Sequence, residues 1–269
     1  MANNSLIIVP AYNSCNTIRS VISRLPIDKT IIIDDGSSDE TSKIVNQLGY
    51  QLIRHPVNLG LSAAIKTGEQ YAFLHGYSHV LLMDSDGQHP PEKYPEFISM
   101  LEKHEFVLGD RFSRLKGIPQ QKIASNLFAS LLIKDATGIF LRDVSCGYRG
   151  YKLDKSLIEK RAEGFSGIYI QIIQNIINGV KPYRVFIPAL YDYSKPLVTK
   201  CSEIDGLCKA IFCYSKKKSI IDYVYNQTIK KEKIDVYIEG VLFKAKYIEN
   251  IDSYIFSTNK DIARGLYGN

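Results

Sequence analysis

Apolar runs and amphipathic stretches alternate through the first half of the chain. The runs Leu6–Val9 and Thr30–Ile33 end at a proline and at two aspartates, a pattern typical of buried parallel strands. Between them, one face of a helix is defined by apolar residues at helical spacing, namely Ile18, Val21, Ile22 and Leu25. Asn13 or Ser14 is the candidate N-cap of that helix.

The same alternation continues beyond these elements. It predicts helices at Asp39–Leu48, Leu61–Phe73 and Tyr94–Lys103. It predicts strands at Gln51–Arg54, His79–Met83 and Phe106–Leu108. The order of strands and helices predicts an α/β protein with a doubly wound, mostly parallel sheet flanked by helices.

The pattern is weaker in the second half. It predicts helices at Ala124–Leu132 and Ile168–Ile177, and a strand at Tyr183–Ile187. After about Lys200 the periodicity fades, and the remaining residues fit either a small α+β extension or an extra helical pair. We therefore expect a main domain over residues 1–200 and a small C-terminal extension over 201–269.

One apolar run ends at Asp84, and Asp86 follows two residues later. Alternate residues of a strand point to the same side, so both carboxylates can face one cation, and Gln88 adds a neutral oxygen. Hard oxygen ligands of this kind suit Mg²⁺ or Mn²⁺, which keep open positions for substrate phosphates. His89 precedes two prolines and has no carboxylate beside it, so we interpret it as structural.

Three polar clusters fall at the carboxyl ends of predicted strands, at Pro10–Asn13, Asp34–Ser37 and Asp84–Gln88. In doubly wound sheets, ligands bind in the crevice beyond those ends. We therefore expect the three clusters to line one ligand-binding crevice.

Composition limits the classes of protein that fit. A chain of 269 residues with 45% apolar content can bury one large core. No run approaches the ~20 apolar residues of a membrane-spanning helix, and no basic segment followed by an apolar stretch opens the chain. The five cysteines never form Cys-x-x-Cys, which indicates neither a disulfide framework nor a zinc knuckle. These features predict a cytoplasmic protein.

The net charge of +6 arises from a basic excess late in the chain. The basic runs are Lys216–Lys218 and Lys230–Lys233. They are explained either as a solvated face or as a peripheral contact with anionic lipid headgroups, worth ~1 kcal/mol for each basic residue. No recognition motif accompanies the lysines, so nucleic acid is not a predicted partner.

Several segments resemble motifs of one enzyme family, in order along the chain. They are Val9–Asn13, Ile33–Asp39, Asn58–Gly60, Lys66–Gly68, Met83–Pro91, Leu108–Phe112 and Asp143–Arg149. They resemble the family 2 glycosyltransferases with the GT-A fold, and most closely the dolichol- and polyprenyl-phosphate sugar synthases. The Asp-x-Asp-x-Gln-His-Pro-Pro signature of that branch is reproduced in full. The resemblance implies sugar transfer with inversion at the anomeric carbon.

The resemblance also implies a donor site. Asp35 would accept a hydrogen bond from the ring N–H of the base, which uracil and guanine both offer, while Pro10 and Tyr12 would shape the base pocket. Asp84 would reach the ribose or a metal-bound water. The metal ligands would be Asp84, Asp86 and Gln88, and further donor contacts would be Asn13, Asp34, Gly60, Lys66 and Ser85. Lys66 is equally well explained as a solvated helix side chain, and Asp39 as a helix cap.

Cations for the acceptor or donor phosphate are implied by the later motifs. They are Arg111, Lys122, Arg149, Lys195 and Lys200. The branch carries a loop arginine where this chain has Ser194. The nearby lysines keep positive charge but do not reproduce the bidentate grip of an arginine on phosphate.

The nature of the acceptor bears on catalysis. The segment Gly164–Gln171 lacks the carboxylate that many relatives carry after Gly-Phe. A sugar hydroxyl needs a general base, whereas a phosphate monoester is already ionised at pH 7, so this absence favours a phosphate acceptor. The missing loop arginine favours the opposite. If the acceptor is a hydroxyl, the base candidates are Asp110, Asp143 and Glu163. The residues predicted to be catalytic are Asp86, Arg111, Asp110 and Asp143.

We therefore predict a metal-dependent inverting glycosyltransferase. It would move a sugar from a UDP or GDP sugar to a polyprenyl-phosphate or glycan acceptor in lipid-linked or cell-surface glycan synthesis. The alternatives are a non-catalytic nucleotide-sugar-binding partner subunit and a sugar-nucleotide nucleotidyltransferase. The latter is expected to have a Gly-rich phosphate loop near the amino terminus, which Val9–Asn13 lacks. A homo-oligomer is compatible with this prediction.

Overall fold

Two compact units make up the protein in a computed structural model, which describes residues 4–159, 166–191, 199–212, 214–215 and 218–267. Unit 1 comprises Met1–Gly109, Cys146–Gly164 and Val180–Tyr191. Unit 2 comprises Asp110–Ser145, Phe165–Gly179 and Asp192–Asn269. Each unit is therefore assembled from segments that are distant in sequence.

Strands and helices alternate through the first part of the described chain. The strands are β1 (Ser5–Ala11), β2 (Thr30–Asp34), β3 (Gln51–Arg54), β4 (His79–Leu82), β5 (Phe106–Asp110), β6 (Arg149–Lys152), β7 (Tyr183–Phe186), β8 (Thr199–Lys200), β9 (Ile234–Ile238), β10 (Val241–Ile248) and β11 (Ser253–Thr258). The helices are α1 (Ile18–Ile22), α2 (Thr41–Gln47), α3 (Leu61–Leu74), α4 (Tyr94–Leu101), α5 (Gln120–Thr137), α6 (Lys155–Glu159), α7 (Ser166–Ile177), α8 (Cys201–Phe212), α9 (Lys218–Lys230) and α10 (Lys260–Tyr267).

The sheet of unit 1 is mostly parallel, as predicted. Its strand order is β3-β2-β1-β4-β6-β5-β7. The pairs β3-β2, β2-β1 and β1-β4 are parallel, and β6 runs antiparallel to both β4 and β5. The carboxyl ends of β1, β2 and β4 consequently meet at one edge of the sheet, where the three polar clusters begin.

Helices cover both faces of this sheet because alternate residues of its central strand are apolar on both sides. Ile7 and Val9 of β1 belong to a core cluster that includes Ile18 of α1 and Phe97 of α4. Ile8 points the other way and meets α3, where a Cβ on Gly68 would lie 2.5 Å from Ile8 Cγ2. The absence of a side chain at position 68 therefore allows α3 to lie close against the sheet.

Unit 2 contains a second, antiparallel sheet with the strand order β8-β11-β10-β9. Helix α5 packs on it through Phe128, whose ring centroid lies 5.5 Å from that of Phe243 and 5.1 Å from that of Phe256. Helices α8 and α9 lie between β8 and β9 in sequence. The C-terminal region thus contains both a pair of helices and an antiparallel sheet. In the described ranges, no helix has the length and apolar character needed to cross a membrane.

Candidate functional site

Asn13 joins the loops that follow β1 and β2 in unit 1. Its backbone N–H donates to Ser37 Oγ (2.9 Å), and its side-chain Oδ1 accepts a hydrogen bond from the Ser38 N–H (2.9 Å). Asn13 has φ +48°, a left-handed conformation that asparagine tolerates better than most residues. The expected capping of α1 by Asn13 or Ser14 is wrong, because the residue before that helix is Thr17 and no side chain caps it.

Asp39 holds a third polar contact in the same region. Its Oδ1 accepts a hydrogen bond from the Thr41 N–H (2.9 Å) at the start of α2, and its Oδ2 accepts one from the Cys15 N–H (3.0 Å). Burial raises the pKa of this carboxyl, but the hydrogen bonds from Thr41 and Cys15 outweigh burial and lower the pKa from 3.8 to about 2. The charged form of Asp39 therefore stabilises the folded state.

We expect the Asp39→Asn variant to be less stable than the wild type by about 1–2 kcal/mol at pH 7, because an amide cannot accept all of these hydrogen bonds. A folded-state pKa below the unfolded one gives stability that is complete above pH 4 and is lost as the pH falls toward 2. Denaturant unfolding of both proteins from pH 7 to pH 2.5 measures this difference. If the difference in free energy of unfolding between the two proteins stays constant over this pH range, the lowered pKa of Asp39 is contradicted.

Asp34, a predicted donor contact, lies entirely inside unit 1. Its carboxylate accepts a hydrogen bond from the Ser37 N–H (2.9 Å) and another from the Ser42 hydroxyl, and Arg54 Nε lies 3.6 Å away. The residue has no exposed surface. A direct contact with a donor would require this network to open, so the visible function of Asp34 is to shape the turn after β2.

Asp35 organises the loop that follows β3. Its Oδ1 lies 2.7 Å from Nδ1 of His55 and accepts the Leu59 N–H (2.9 Å), while its Oδ2 accepts the Gly60 N–H (2.7 Å). Nε2 of the same histidine lies 2.9 Å from Thr67 Oγ1 of α3. Gly60 has φ +93°, which favours glycine at this turn. Three acceptor positions of the carboxylate are thus used within the chain, of about four that it has.

The loop after β4 carries the predicted metal ligands. The Asp84 side chain is 37% exposed, Asp86 is exposed and Gln88 is half-buried. Between the first two, Ser85 is buried, and its Oγ lies 2.9 Å from Ser14 Oγ in the loop after β1. This bond and those of Asn13 link all three loops. Two carboxylates and an amide within one short accessible loop form a donor set that fits Mg²⁺ or Mn²⁺.

The Asp84 carboxylate lies close to His89 and to Gly147 in unit 1. His89 is buried, and its Nε2 lies 3.6 Å from Asp84 Oδ2, which corrects the expectation that this histidine has no carboxylate beside it. The imidazole also stacks on Tyr148 with a centroid distance of 5.3 Å. A Cβ on Gly147 would lie 2.5 Å from Asp84 Oδ1. Only glycine leaves room for the carboxylate at that position.

The other predicted donor residues differ in accessibility. Tyr12 is 49% exposed beyond the end of β1, whereas Pro10 is buried within that strand. Lys66 is half-buried in α3. Among the described residues, no three His, Cys, Asp or Glu side chains gather into a potential metal-binding group.

In unit 2, Arg111 and Asp143 form a bidentate ion pair. The Nε and Nη2 atoms of Arg111 lie 2.7 and 2.9 Å from the two carboxylate oxygens, and the Arg111 N–H donates to the same group (3.1 Å). Ser145 Oγ accepts a further bond from Nη2 (3.0 Å). Such planar two-point pairing fixes the orientation of the guanidinium. Asp143 therefore positions Arg111, and service as a general base would require it to release that pair.

Asp110, the other base candidate in unit 2, is also held by hydrogen bonds within the chain. It is 2% exposed, and its carboxylate accepts hydrogen bonds from the Phe112 N–H (3.0 Å) and from Ser113 Oγ (2.6 Å). These bonds close the tight turn that follows β5. The structure thus gives both carboxylates a role in shaping the segment that carries Arg111.

Lys122 and Lys200 belong to the same electrostatic cluster in unit 2. Burial lowers the pKa of Lys122, the Glu203 carboxylate opposes that shift, and the positive charge of Arg111 adds to it. Burial likewise raises the pKa of Glu203, against the influence of Lys122 and Lys200. Two of the predicted phosphate-binding cations, Lys122 and Lys200, therefore lie near the Glu203 carboxylate, and a third, Arg111, lies near Lys122. Glu203, in the first turn of α8, was not indicated by any motif.

Arg149, another predicted phosphate-binding cation, lies on β6 in unit 1 and is 2% exposed. Lys195, together with Ser194 and the base candidate Glu163, lies outside the described residues.

Comparisons with known proteins identify relatives over most of the chain. The model of the family described as Glycosyl transferase family 2 matches residues 6–158. An uncharacterized protein of Methanocaldococcus jannaschii is 32% identical over 202 residues, which cover 68% of this chain and 87% of that protein. A UDP-N-acetylglucosamine–dolichyl-phosphate N-acetylglucosaminyltransferase of Methanococcus voltae is 29% identical over 64% of this chain and 81% of its own length.

Solved structures of glucosyl-3-phosphoglycerate synthase from Mycobacterium tuberculosis are similar in fold. One, with phosphoglyceric acid, has a TM-score of 0.60 at 19% identity and covers 78% of this chain and 80% of its own. Another, with Mn²⁺, UDP and glucosyl-3-phosphoglycerate, has a TM-score of 0.58 at 16% identity and covers 96% of this chain and 87% of its own. The likeness confirms the predicted GT-A architecture.

Proposed function

Because the chain belongs to glycosyl transferase family 2 and is thus a glycosyltransferase, we propose that it moves a sugar from a nucleoside-diphosphate donor to a polyprenyl phosphate. The observation that carries this proposal is the Arg111–Asp143 pair with Lys122 and Lys200 in unit 2. An ionised phosphate suits such a cluster, whereas a hydroxyl acceptor would need a free general base. The relative from Methanococcus voltae, named for transfer to dolichyl phosphate, supports this acceptor class.

In the proposed reaction, an oxygen of the acceptor phosphate attacks the anomeric carbon of the sugar. The bond from that carbon to the donor diphosphate breaks in line, and the nucleoside diphosphate leaves with the electron pair. No proton needs to be removed from the acceptor, since a phosphate monoester is ionised near pH 7. The Arg111 guanidinium, held in one orientation by Asp143, would attract and orient the acceptor phosphate, and the two lysines would balance its charge.

The donor would bind at the carboxyl edge of the unit 1 sheet. Asp35 has about one acceptor position left after its three internal bonds, which suits the ring N–H of uracil or guanine. Tyr12 would pack against the base, and Gly60 and Lys66 at the start of α3 would face the diphosphate. Asp34 is not part of this proposal, because its carboxylate is fully buried.

Asp84, Asp86 and Gln88 would hold Mg²⁺ or Mn²⁺, and a metal bound there supplies positive charge against the departing diphosphate. The exposure of Asp86 and the space left by Gly147 beside Asp84 support this assignment. Mn²⁺ and UDP are bound together in one structure of glucosyl-3-phosphoglycerate synthase, which supports a metal-dependent donor site in this fold.

Peripheral membrane contact through the late basic run receives less support. Lys231 lies 3.0 Å from Asp252, and Lys233 lies 3.3 Å from Asp235. Ion pairing within the chain favours a solvated face at this run. Lys216 and Lys217 lie outside the described residues. Contact with a membrane would then come chiefly through the acceptor lipid.

A stability panel with UDP, GDP, CDP and their common sugar conjugates, each with Mn²⁺, with Mg²⁺ and with EDTA, tests the donor site. A ligand at a hundred times its dissociation constant stabilises a protein by about 2.7 kcal/mol, which thermal unfolding resolves easily. We expect one uridine or guanosine nucleotide to raise the melting temperature only when metal is present. If no nucleotide does so, the proposed donor site is excluded. Sugar transfer by the purified protein would in turn eliminate a non-catalytic partner subunit.

A further inference from the structure

Asn126 in α5 connects the C-terminal helix to the loop that carries Asp143. Its Nδ2 donates to the Arg142 carbonyl (2.5 Å) and to the Tyr267 hydroxyl oxygen (2.7 Å). Its Oδ1 accepts hydrogen bonds from the Val144 N–H (3.2 Å) and from Ser145 Oγ (3.3 Å). The amide thus uses its full hydrogen-bonding capacity while 3% exposed, and the Val144 N–H fixes its orientation.

The loop held by Asn126 is the one that positions Arg111. Asp143 lies between the two residues that Asn126 contacts through the backbone, Arg142 and Val144. Ser145, bonded to the same amide, also receives a bond from Arg111 Nη2 (3.0 Å). A shift of the amide would therefore move both groups that fix the guanidinium.

The Tyr267 ring supports Arg111 by a second route. It stacks on Phe112, the next residue in sequence, with a centroid distance of 5.5 Å and an interplanar angle of 17°. Arg111 Cζ in turn lies 5.8 Å from the centroid of the Phe112 ring. Tyr267 is 1% exposed. Burial raises the pKa of its hydroxyl well above the ordinary value, against the influence of Asn126, so the group stays neutral at working pH.

We infer that Tyr267 is a positioning residue for the Arg111 guanidinium. Its hydroxyl fixes Asn126 and hence the Asp143 loop, and its ring fixes Phe112. Helix α10, to which no motif assigned a role, is then part of the support of the phosphate-binding cluster. The expected effect on catalysis rests on the proposed function. The positioning of the Arg111 guanidinium by Tyr267 does not depend on that function.

The test compares Tyr267→Phe, which removes only the hydroxyl, with Tyr254→Phe. Tyr254 is an equally buried tyrosine in β11 whose hydroxyl donates to the Gln227 and Glu232 carbonyls, away from this network. With a short-chain isoprenyl phosphate as acceptor, we expect Tyr267→Phe to raise the acceptor KM about fivefold, with little change in kcat or donor KM. The Tyr254→Phe control should leave the acceptor KM unchanged. An unchanged KM in Tyr267→Phe would overturn the inference.

A background variant separates positioning from general destabilisation. In Arg111→Lys, which lacks the bidentate pair, Tyr267→Phe should add no further rise in acceptor KM, because the group it positions is gone. An equal rise in both backgrounds would show that Tyr267 acts on stability alone and would contradict the inference.

A measurement that needs no catalysis tests the positioning of Arg111 independently of the proposed sugar transfer. Arg111 Nε–H is bonded to Asp143 (2.7 Å), so its NMR signal, assigned by its loss in Arg111→Lys, should exchange slowly with water. We expect Tyr267→Phe to speed this exchange about fivefold, and Tyr254→Phe to leave it unchanged. If wild-type protein transfers no sugar, the proposed function fails, while the exchange rates still decide the position of Arg111. Equal exchange in wild type and Tyr267→Phe would refute the inference.

Discussion

Replacing Gly147 with alanine is expected to weaken metal-dependent donor binding about 100-fold while leaving the fold intact, since a displacement of about 1 Å has effects of this size. A Cβ at this position would lie 2.5 Å from Asp84 Oδ1, so the carboxylate must move. His89, whose Nε2 lies 3.6 Å from Asp84 Oδ2, is buried and stacked on Tyr148, so the carboxylate cannot move into the space that this ring occupies. Calorimetric titration of the nucleotide identified by the stability panel, with Mn²⁺ present, measures the change.

Gly265→Ala is the matched control for this variant. Gly265 lies in α10 at a negative φ, and a Cβ there would meet nothing within 4 Å. We expect Gly265→Ala to bind the nucleotide as the wild type does. Wild-type affinity in Gly147→Ala as well would remove Asp84 from the metal site.

Arg111→Lys is expected to lower the catalytic efficiency toward a polyprenyl phosphate by about 10- to 100-fold. The lysine keeps the charge but loses the planar two-point contact with Asp143, and with it the fixed orientation of the N–H groups toward phosphate. Because the donor residues lie in unit 1, metal-dependent nucleotide affinity should not change. Steady-state kinetics with varied acceptor, together with nucleotide titration, measures both effects.

Arg114→Lys, a change of the same type at an exposed position three residues later, serves as the control. Asp143→Asn provides a second variant, in which the guanidinium stays but loses its charged partner. Removing one partner of a buried ion pair costs about 3–5 kcal/mol of stability, so Asp143→Asn should also unfold at lower denaturant concentration. Full acceptor efficiency in Arg111→Lys would contradict the assignment of Arg111 to the acceptor phosphate.

The elements of the main sheet are largely predictable because strand and helix periodicities differ so clearly there. Gln51–Arg54 is predicted and observed with the same bounds. Helix ends are less predictable because they depend on particular contacts. Helix α2 begins at Thr41, where Asp39 accepts hydrogen bonds, and α5 extends beyond Ala124–Leu132 to Gln120–Thr137. The end of α5 is set by Gly138, which adopts a left-handed conformation with φ +77°.

The candidate site is predictable from the sequence only where its residues lie close together along the chain. The three loops at the sheet edge follow from strand order, and the Asp84–Gln88 loop is visible directly in the sequence. The sequence does not distinguish the roles of Asp34 and Asp35, because both are buried at the end of a strand and differ only in their tertiary contacts. The Asn126–Tyr267 bond joins residues 141 positions apart, and no local pattern indicates it.

The most direct test of the account is sugar transfer by the purified wild-type protein to a polyprenyl phosphate, compared with the polyprenol of the same chain length. Labelled nucleotide sugar, chosen by the stability panel, would be supplied with Mn²⁺ or with EDTA. The account predicts labelled lipid only from the phosphate and only with metal present, because the two described base candidates, Asp110 and Asp143, are both held by hydrogen bonds within the chain. Transfer to the alcohol at a comparable rate, or no transfer to either lipid, would contradict it.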